Sequence, residues 1–122
     1  MCLEASCDAA DRLVLHERNG STMYTIVWEF VVKVGNEEAF ARAYGPDGDW
    51  ARLFSNGKGY RGTELLKDAE RPARYLTIDR WESEEDYERL REHHAAEYKA
   101  IDERCEELTE GETQVGEFES ID

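Results

Sequence analysis

Met23-Tyr24-Thr25-Ile26-Val27-Trp28-Glu29-Phe30-Val31-Val32-Lys33-Val34 alternates without a break. In an extended chain Tyr24, Ile26, Trp28, Phe30, Val32 and Val34 point to one side, and Thr25, Val27, Glu29, Val31 and Lys33 to the other. The period of two predicts a strand over 23–34 with its first side in the core. Next, Asn36 stands where a helix cap is wanted, Glu37 and Glu38 suit a first turn, and Phe40, Ala43 and Tyr44 give a buried side. Gly45-Pro46-Asp47-Gly48 breaks that helix, and Trp50, Leu53 and Phe54 resume the spacing. The stretch 36–55 therefore reads as two short helices.

Two further strands follow, Tyr60 to Lys67 and Arg74 to Trp81, joined by a polar connection that contains Pro72. In the second, Leu76 and Ile78 face one way while Tyr75, Thr77, Asp79 and Trp81 face the other. Tyr75 and Trp81 in water would form an apolar patch of the kind that marks an interface or a pocket. The expectation is that their side is left bare by the chain's own helices and covered by a second copy. Ser83 is a good N-cap, and Tyr87, Leu90, His94, Tyr98, Ile101, Cys105 and Leu108 step by three and four, predicting an amphipathic helix over 83–108, kinked near His93 and His94. Gly111 suits its exit, and Thr113 to Phe118 closes the chain as a strand. The order β-α-β-β-α-β is that of a ferredoxin-like split unit, an α+β fold with an antiparallel four-stranded sheet.

The 122 residues suffice for one domain that buries roughly two-thirds of its unfolded surface. A net charge of −14 repels phosphate backbones and anionic lipid, which argues against nucleic acid and membrane surfaces as partners. No apolar run reaches the roughly 18 residues of a membrane span, and the N-terminus lacks the pattern of an export signal. Cys2, Cys7 and Cys105 are too few and too scattered for a disulfide framework, so reduced thiols in a cytoplasm are expected, with Cys105 a small buried hydrophobe. Residues 1–22 show little periodicity and read as a poorly ordered extension or a start-site artefact, with Met23 the alternative start. Residues 23–118 form the domain and 119–122 a tail.

Gly57-Lys58-Gly59-Tyr60-Arg61-Gly62 matches G-x-G-x-x-G, but a dinucleotide site needs a strand before the glycines and a helix after them. Here the order is reversed, and the run reads as a helix-to-strand turn. His93 and Glu97 have the spacing to share a metal but lack a third ligand, so no metal is expected. His94, on the apolar stripe, is either a hydrogen-bonded core histidine or the base of a pocket. Trp28, Trp50, Phe54, Tyr60, Trp81 and Tyr98 supply core and dimer packing or the walls of a cavity for a planar ligand. Arg61, Arg74 and Arg80 could orient an anionic oxygen, although Glu64 and Asp79 stand ready to pair with them. No Ser-His-Asp order or G-x-S-x-G elbow points to a hydrolase.

Tyr24-Thr25-Ile26-Val27-Trp28-Glu29-Phe30, Phe40 with Tyr44-Gly45-Pro46, Trp50-Ala51-Arg52-Leu53-Phe54, Gly59-Tyr60-Arg61-Gly62-Thr63-Glu64-Leu65 and Tyr75-Leu76-Thr77-Ile78-Asp79-Arg80-Trp81 together resemble the antibiotic biosynthesis monooxygenase domain superfamily of small dimeric α+β barrels. The resemblance spans about 23–118 and rests on pattern and element order. It implies a homodimer whose sheets pack face to face, with a cavity between sheet and helices in each subunit. It further implies a monooxygenase that needs no cofactor, in which a small aromatic or polyphenolic substrate is deprotonated and its carbanion meets O₂ directly. In such a site His94, Tyr60 and Arg80 are the candidate catalytic groups, and Trp28, Trp50, Phe54, Trp81 and Tyr98 the candidate substrate walls. The Asn and Trp of the polyphenol oxygenases, and the Asn, Trp and haem-ligating His of haem-degrading relatives, are not carried over. A non-catalytic small-molecule-binding barrel and a haem-binding relative are the rival readings.

Overall fold

The computed structural model describes residues 23–121. The readings of residues 1–22 as an extension, and of Cys2 and Cys7 within it, lie outside the described residues. The element order is β1 (Tyr24–Val32), α1 (Glu37–Tyr44), α2 (Asp49–Phe54), β2 (Tyr60–Lys67), β3 (Arg74–Trp81), α3 (Glu84–His93), α4 (Ala95–Cys105), a 3₁₀ turn (Glu106–Leu108) and β4 (Thr109–Glu119). The four strands form one antiparallel sheet in the order β2-β3-β1-β4, the α+β ferredoxin-like arrangement that the periodicity implies. The four helices cover one side of it.

Register decides which side that is. Tyr24 lies opposite Trp81, Ile26 opposite Asp79, Trp28 opposite Thr77 and Phe30 opposite Tyr75. Opposed residues in an antiparallel pair project to the same side, so the β3 set is carried under the helices with the core side of β1. This corrects the expectation of a bare side bearing Tyr75 and Trp81, since both rings are buried within the single chain. The uncovered side instead presents Val27, Val31, Leu76 and Ile78, half-buried, with Leu66 and Phe118 exposed. Alternation within one strand identifies two sides but cannot say which of them meets a neighbour's core.

The elements end where local chemistry changes. β1 stops at Val32, and Val34, expected in the core, is 91% exposed because Gly35 turns the chain at φ +93°. Asn36 does not cap α1 with its side chain; its Nδ2 donates to the Glu107 carbonyl at 3.3 Å, tying the helix start to the last turn before β4. At α3 the cap is as expected, Ser83 Oγ accepting from the Asp86 N–H at 3.1 Å. The long helix is two helices, broken at His94 with φ −125° and ψ 38°. Gly111 lies inside β4, which begins at Thr109, and the register shifts there make Val115 an extra, half-exposed residue. Among the described residues no helix is long and apolar enough to cross a membrane.

Candidate functional site

The interior between sheet and helices is built from aromatic rings. On α2, Trp50 and Phe54 lie 5.9 Å apart between centroids, and Trp50 meets Tyr98 of α4 edge-on at 4.9 Å. Phe54 reaches Tyr60 at 5.8 Å and Trp81 at 5.5 Å; Tyr60 and Trp81 are themselves 5.2 Å apart. Tyr87 of α3 closes the group 5.5 Å from Trp81. The edge-to-face and tilted approaches suit the ring quadrupoles. Five of the six expected wall residues thus share one cluster, and Trp28 lies on the same side of the sheet, beside Thr77 and 6.2 Å from Phe30.

Beneath these rings the centre of β3 is polar. Thr77, Asp79 and Trp81 follow one another at every second residue on the covered side, and their exposures are 2%, 2% and 0%. Thr63 of β2, opposite Asp79, donates its hydroxyl to Asp79 Oδ1 at 2.7 Å. The Tyr60 hydroxyl lies 2.5 Å from the same Thr63 oxygen. Thr63 has one proton and gives it to the carboxylate, so Tyr60 is the donor to Thr63 and the order of donation is Tyr60 to Thr63 to Asp79. Burial raises the Asp79 pKa from 3.8 to about 6, with the Thr63 hydrogen bond as a smaller opposing effect. Burial also raises the pKa of Tyr60, again opposed by Thr63. On either side of Asp79, Thr77 Oγ1 and Trp81 Nε1 are buried without a hydrogen-bond partner.

Of the three catalytic candidates, Tyr60 is in this interior. Arg80 projects to the uncovered side, where its Nη1 donates to Glu64 Oε1 at 3.1 Å. His94 stands at the break between α3 and α4, its Nδ1 3.5 Å from Glu97 Oε2. The three are not brought together. The other arginines are held by carboxylates: Arg74 by Glu29 and Asp68, each at 2.9 Å, and Arg61 by Glu82. Asp79, read from sequence as a partner for an arginine, is instead the polar centre of the interior. The signal for it was present, an acid at a core position of an alternating strand, between Thr77 and Trp81. A separate cavity of about 200 Å³ lies at the end of α4, lined by Tyr44, Asp102, Cys105, Glu106, Thr109 and Glu112 among others, and it shares none of the expected wall residues. Among the described residues no group of three or more His, Cys, Asp or Glu side chains is placed to hold a metal ion.

The fold recurs in solved structures. PA3566 from Pseudomonas aeruginosa superposes with a TM-score of 0.63 at 16% identity, over 85% of this chain and 99% of that one. SnoaB, a cofactor-independent oxygenase from Streptomyces nogalater, superposes with a TM-score of 0.57 at 20% identity, over 84% of this chain and 96% of that one. At such identities the likeness is one of fold. No curated protein matches the chain. The family model for antibiotic biosynthesis monooxygenase matches residues 23–104, from the residue before β1 nearly to the end of α4. That match takes in the sheet centre, the aromatic cluster and more than half of the sequence, and the chain belongs to the antibiotic biosynthesis monooxygenase family.

Proposed function

We propose that this protein is a cofactor-independent monooxygenase acting on a small aromatic metabolite held between the helices and the covered side of the sheet. The observation that carries the reading is the row Thr77, Asp79, Trp81, three buried polar groups under aromatic walls, of which the outer two lack hydrogen-bond partners. A buried polar atom without a partner costs stability, about 1–3 kcal/mol, and a ligand that supplies the partner recovers it. A flat phenol or ketone offers apolar area to Trp50, Phe54 and Tyr98 and oxygen atoms to that row. Family membership and the fold shared with a cofactor-independent oxygenase support the chemistry.

The reaction is oxygenation of an activated methylene, R₂CH₂ + O₂ → R₂C=O + H₂O. One oxygen atom enters the carbonyl and the other leaves as water. The protein's share is to orient the ring, accept a proton and keep bulk water from the carbanion.

The same reading includes a homodimer. Val27, Val31, Leu66, Leu76, Ile78 and Phe118 leave the uncovered side of the sheet apolar, with the Arg74–Glu29 and Arg80–Glu64 pairs set among them. A second copy docked through the same side would cover those apolar groups and set each protomer's ion pairs against its partner's.

Oxygen consumption by the purified protein with anthrone and a dihydroxynaphthalene series, with ¹⁸O₂ incorporation read by mass spectrometry, tests the reading. Single-atom incorporation into one of these substrates is expected. Tight binding with no oxygen uptake across the series would leave a binding protein in its place.

A further inference from the structure

We propose that Asp79 is the proton acceptor for the substrate, and that Thr63 and Tyr60 form the path by which that proton leaves the interior. The inference rests on the oxygenase reading above. Its own ground is the placement of the carboxylate at the middle of the polar row, under the rings that would hold a flat substrate, with an ordered chain of hydroxyls leading away from it.

A buried carboxylate held by one neutral hydroxyl, with no described cation beside it, destabilises a fold. Arg61, Arg74, Arg80 and Arg89 are each paired with another carboxylate, and Arg91 on α3 lies over the rings of Tyr87 and Tyr98. The titratable groups that face Asp79 from the packed elements are phenols: Tyr60 on β2, and Tyr87 on α3, whose own ionisation is opposed by burial and by the Asp79 charge. From β1 its neighbour is Ile26. A carboxylate kept short of counter-charge is a stronger base than one in water, and its pKa of about 6 suits proton abstraction near neutral pH.

The C–H bond of the activated methylene breaks, its electron pair stays on the substrate carbon as a delocalised enolate, and an O–H bond forms on Asp79. The neutral acid then passes its proton to Thr63 Oγ1, Thr63 passes its own to the Tyr60 oxygen, and Tyr60, only partly buried, releases its proton toward solvent. The carboxylate is restored and no charge is left on either hydroxyl. Dissolved O₂ is the oxidant in the following step and plays no part in this one.

Hydrogen–deuterium exchange at the anthrone methylene, followed without oxygen in D₂O, isolates the step. The full-length wild-type protein is expected to exchange it well above the buffer rate, rising with pH about a midpoint near 6. Asp79→Asn is expected to lose at least 100-fold of that exchange while still quenching in anthrone titrations followed by tryptophan fluorescence. Thr63→Val, which cuts the path and removes the opposing hydrogen bond, is expected to exchange at least tenfold more slowly than wild type, with its pH midpoint moved upward. Exchange by Asp79→Asn within threefold of wild type, or an unmoved midpoint in Thr63→Val, would overturn the assignment and leave the oxygenase reading standing. Absence of both exchange and oxygen uptake in the wild-type protein would remove the oxygenase reading itself.

Discussion

Gly59 is pressed against Asp86: a Cβ built on the glycine would lie 2.2 Å from Asp86 Oδ2, and the residue holds φ +90°. Asp86 cannot easily withdraw, because its backbone N–H is bound by Ser83 and its carboxylate by Arg89 at 3.0 Å. The glycine therefore sets the entry of β2 against the start of α3, and the Gly59 carbonyl accepts from the Glu82 N–H at 2.7 Å across the same junction. Gly59→Ala combines a left-handed backbone with a contact that must be relieved. It is expected to lose about 2 kcal/mol or more in urea unfolding.

Asp79 gives a pH-dependent prediction with a definite sign. Its folded pKa of about 6 lies above the unfolded 3.8, so the folded state holds more protons between those values. The contribution to stability is present below about pH 4, declines as pH rises through 6 and is absent above. Asp79→Asn does not titrate. It is expected to match wild type near pH 4 and to exceed it by up to about 3 kcal/mol at pH 7.5. Thermal unfolding of both proteins across that range checks this, and equal Tm differences at the two ends would refute it.

Thr77→Val keeps the shape of the side chain and deletes a buried hydroxyl that has no partner. The free protein is expected to gain about 1 kcal/mol. Affinity for an oxygenated aromatic ligand should fall several-fold, because the ligand loses the group it would satisfy. Calorimetric titration with anthrone beside a denaturant melt separates the two effects.

Ile78 lies on the uncovered side of the sheet, beside Val27 on β1. Ile78→Asp is expected to convert a sedimenting dimer into a monomer of 14.1 kDa while leaving the circular dichroism of the fold intact. A wild-type protein that sediments as a monomer at tens of micromolar would refute the dimer.

Most of the fold was legible because its elements are amphipathic in clean periods. Tyr24 to Val32 gave β1, Gly45 to Gly48 gave the break between α1 and α2, and Ser83 gave the start of α3. The aromatic cluster was legible in part, since Trp50, Phe54 and Tyr98 occupy apolar positions of their own helices, whereas Trp81 was expected on the bare side of the sheet. The side of β3 that meets the helices was not, because it depends on which residue of β1 lies opposite Asp79, a tertiary fact. Asp79 was hidden for a related reason. An acid beside arginines in sequence looks paired, yet alternation sends Arg80 through the sheet to Glu64 and leaves Asp79 behind. The kink expected near His93 and His94 is a break at His94, which ends one helix and begins the next.

That break fixes the molecule's height as well as its roof. An unbroken rod over 84–105 would be about 33 Å long, whereas eight-residue β3 spans about 27 Å. The bend at His94 folds the overhang back, so that Tyr87 from one limb and Tyr98 from the other converge on the guanidinium of Arg91, 5.7 Å and 4.8 Å from their rings. Arg91 thereby acts as a keystone. Straightening the joint would draw the two tyrosines apart and cost the guanidinium at least one of its two ring contacts.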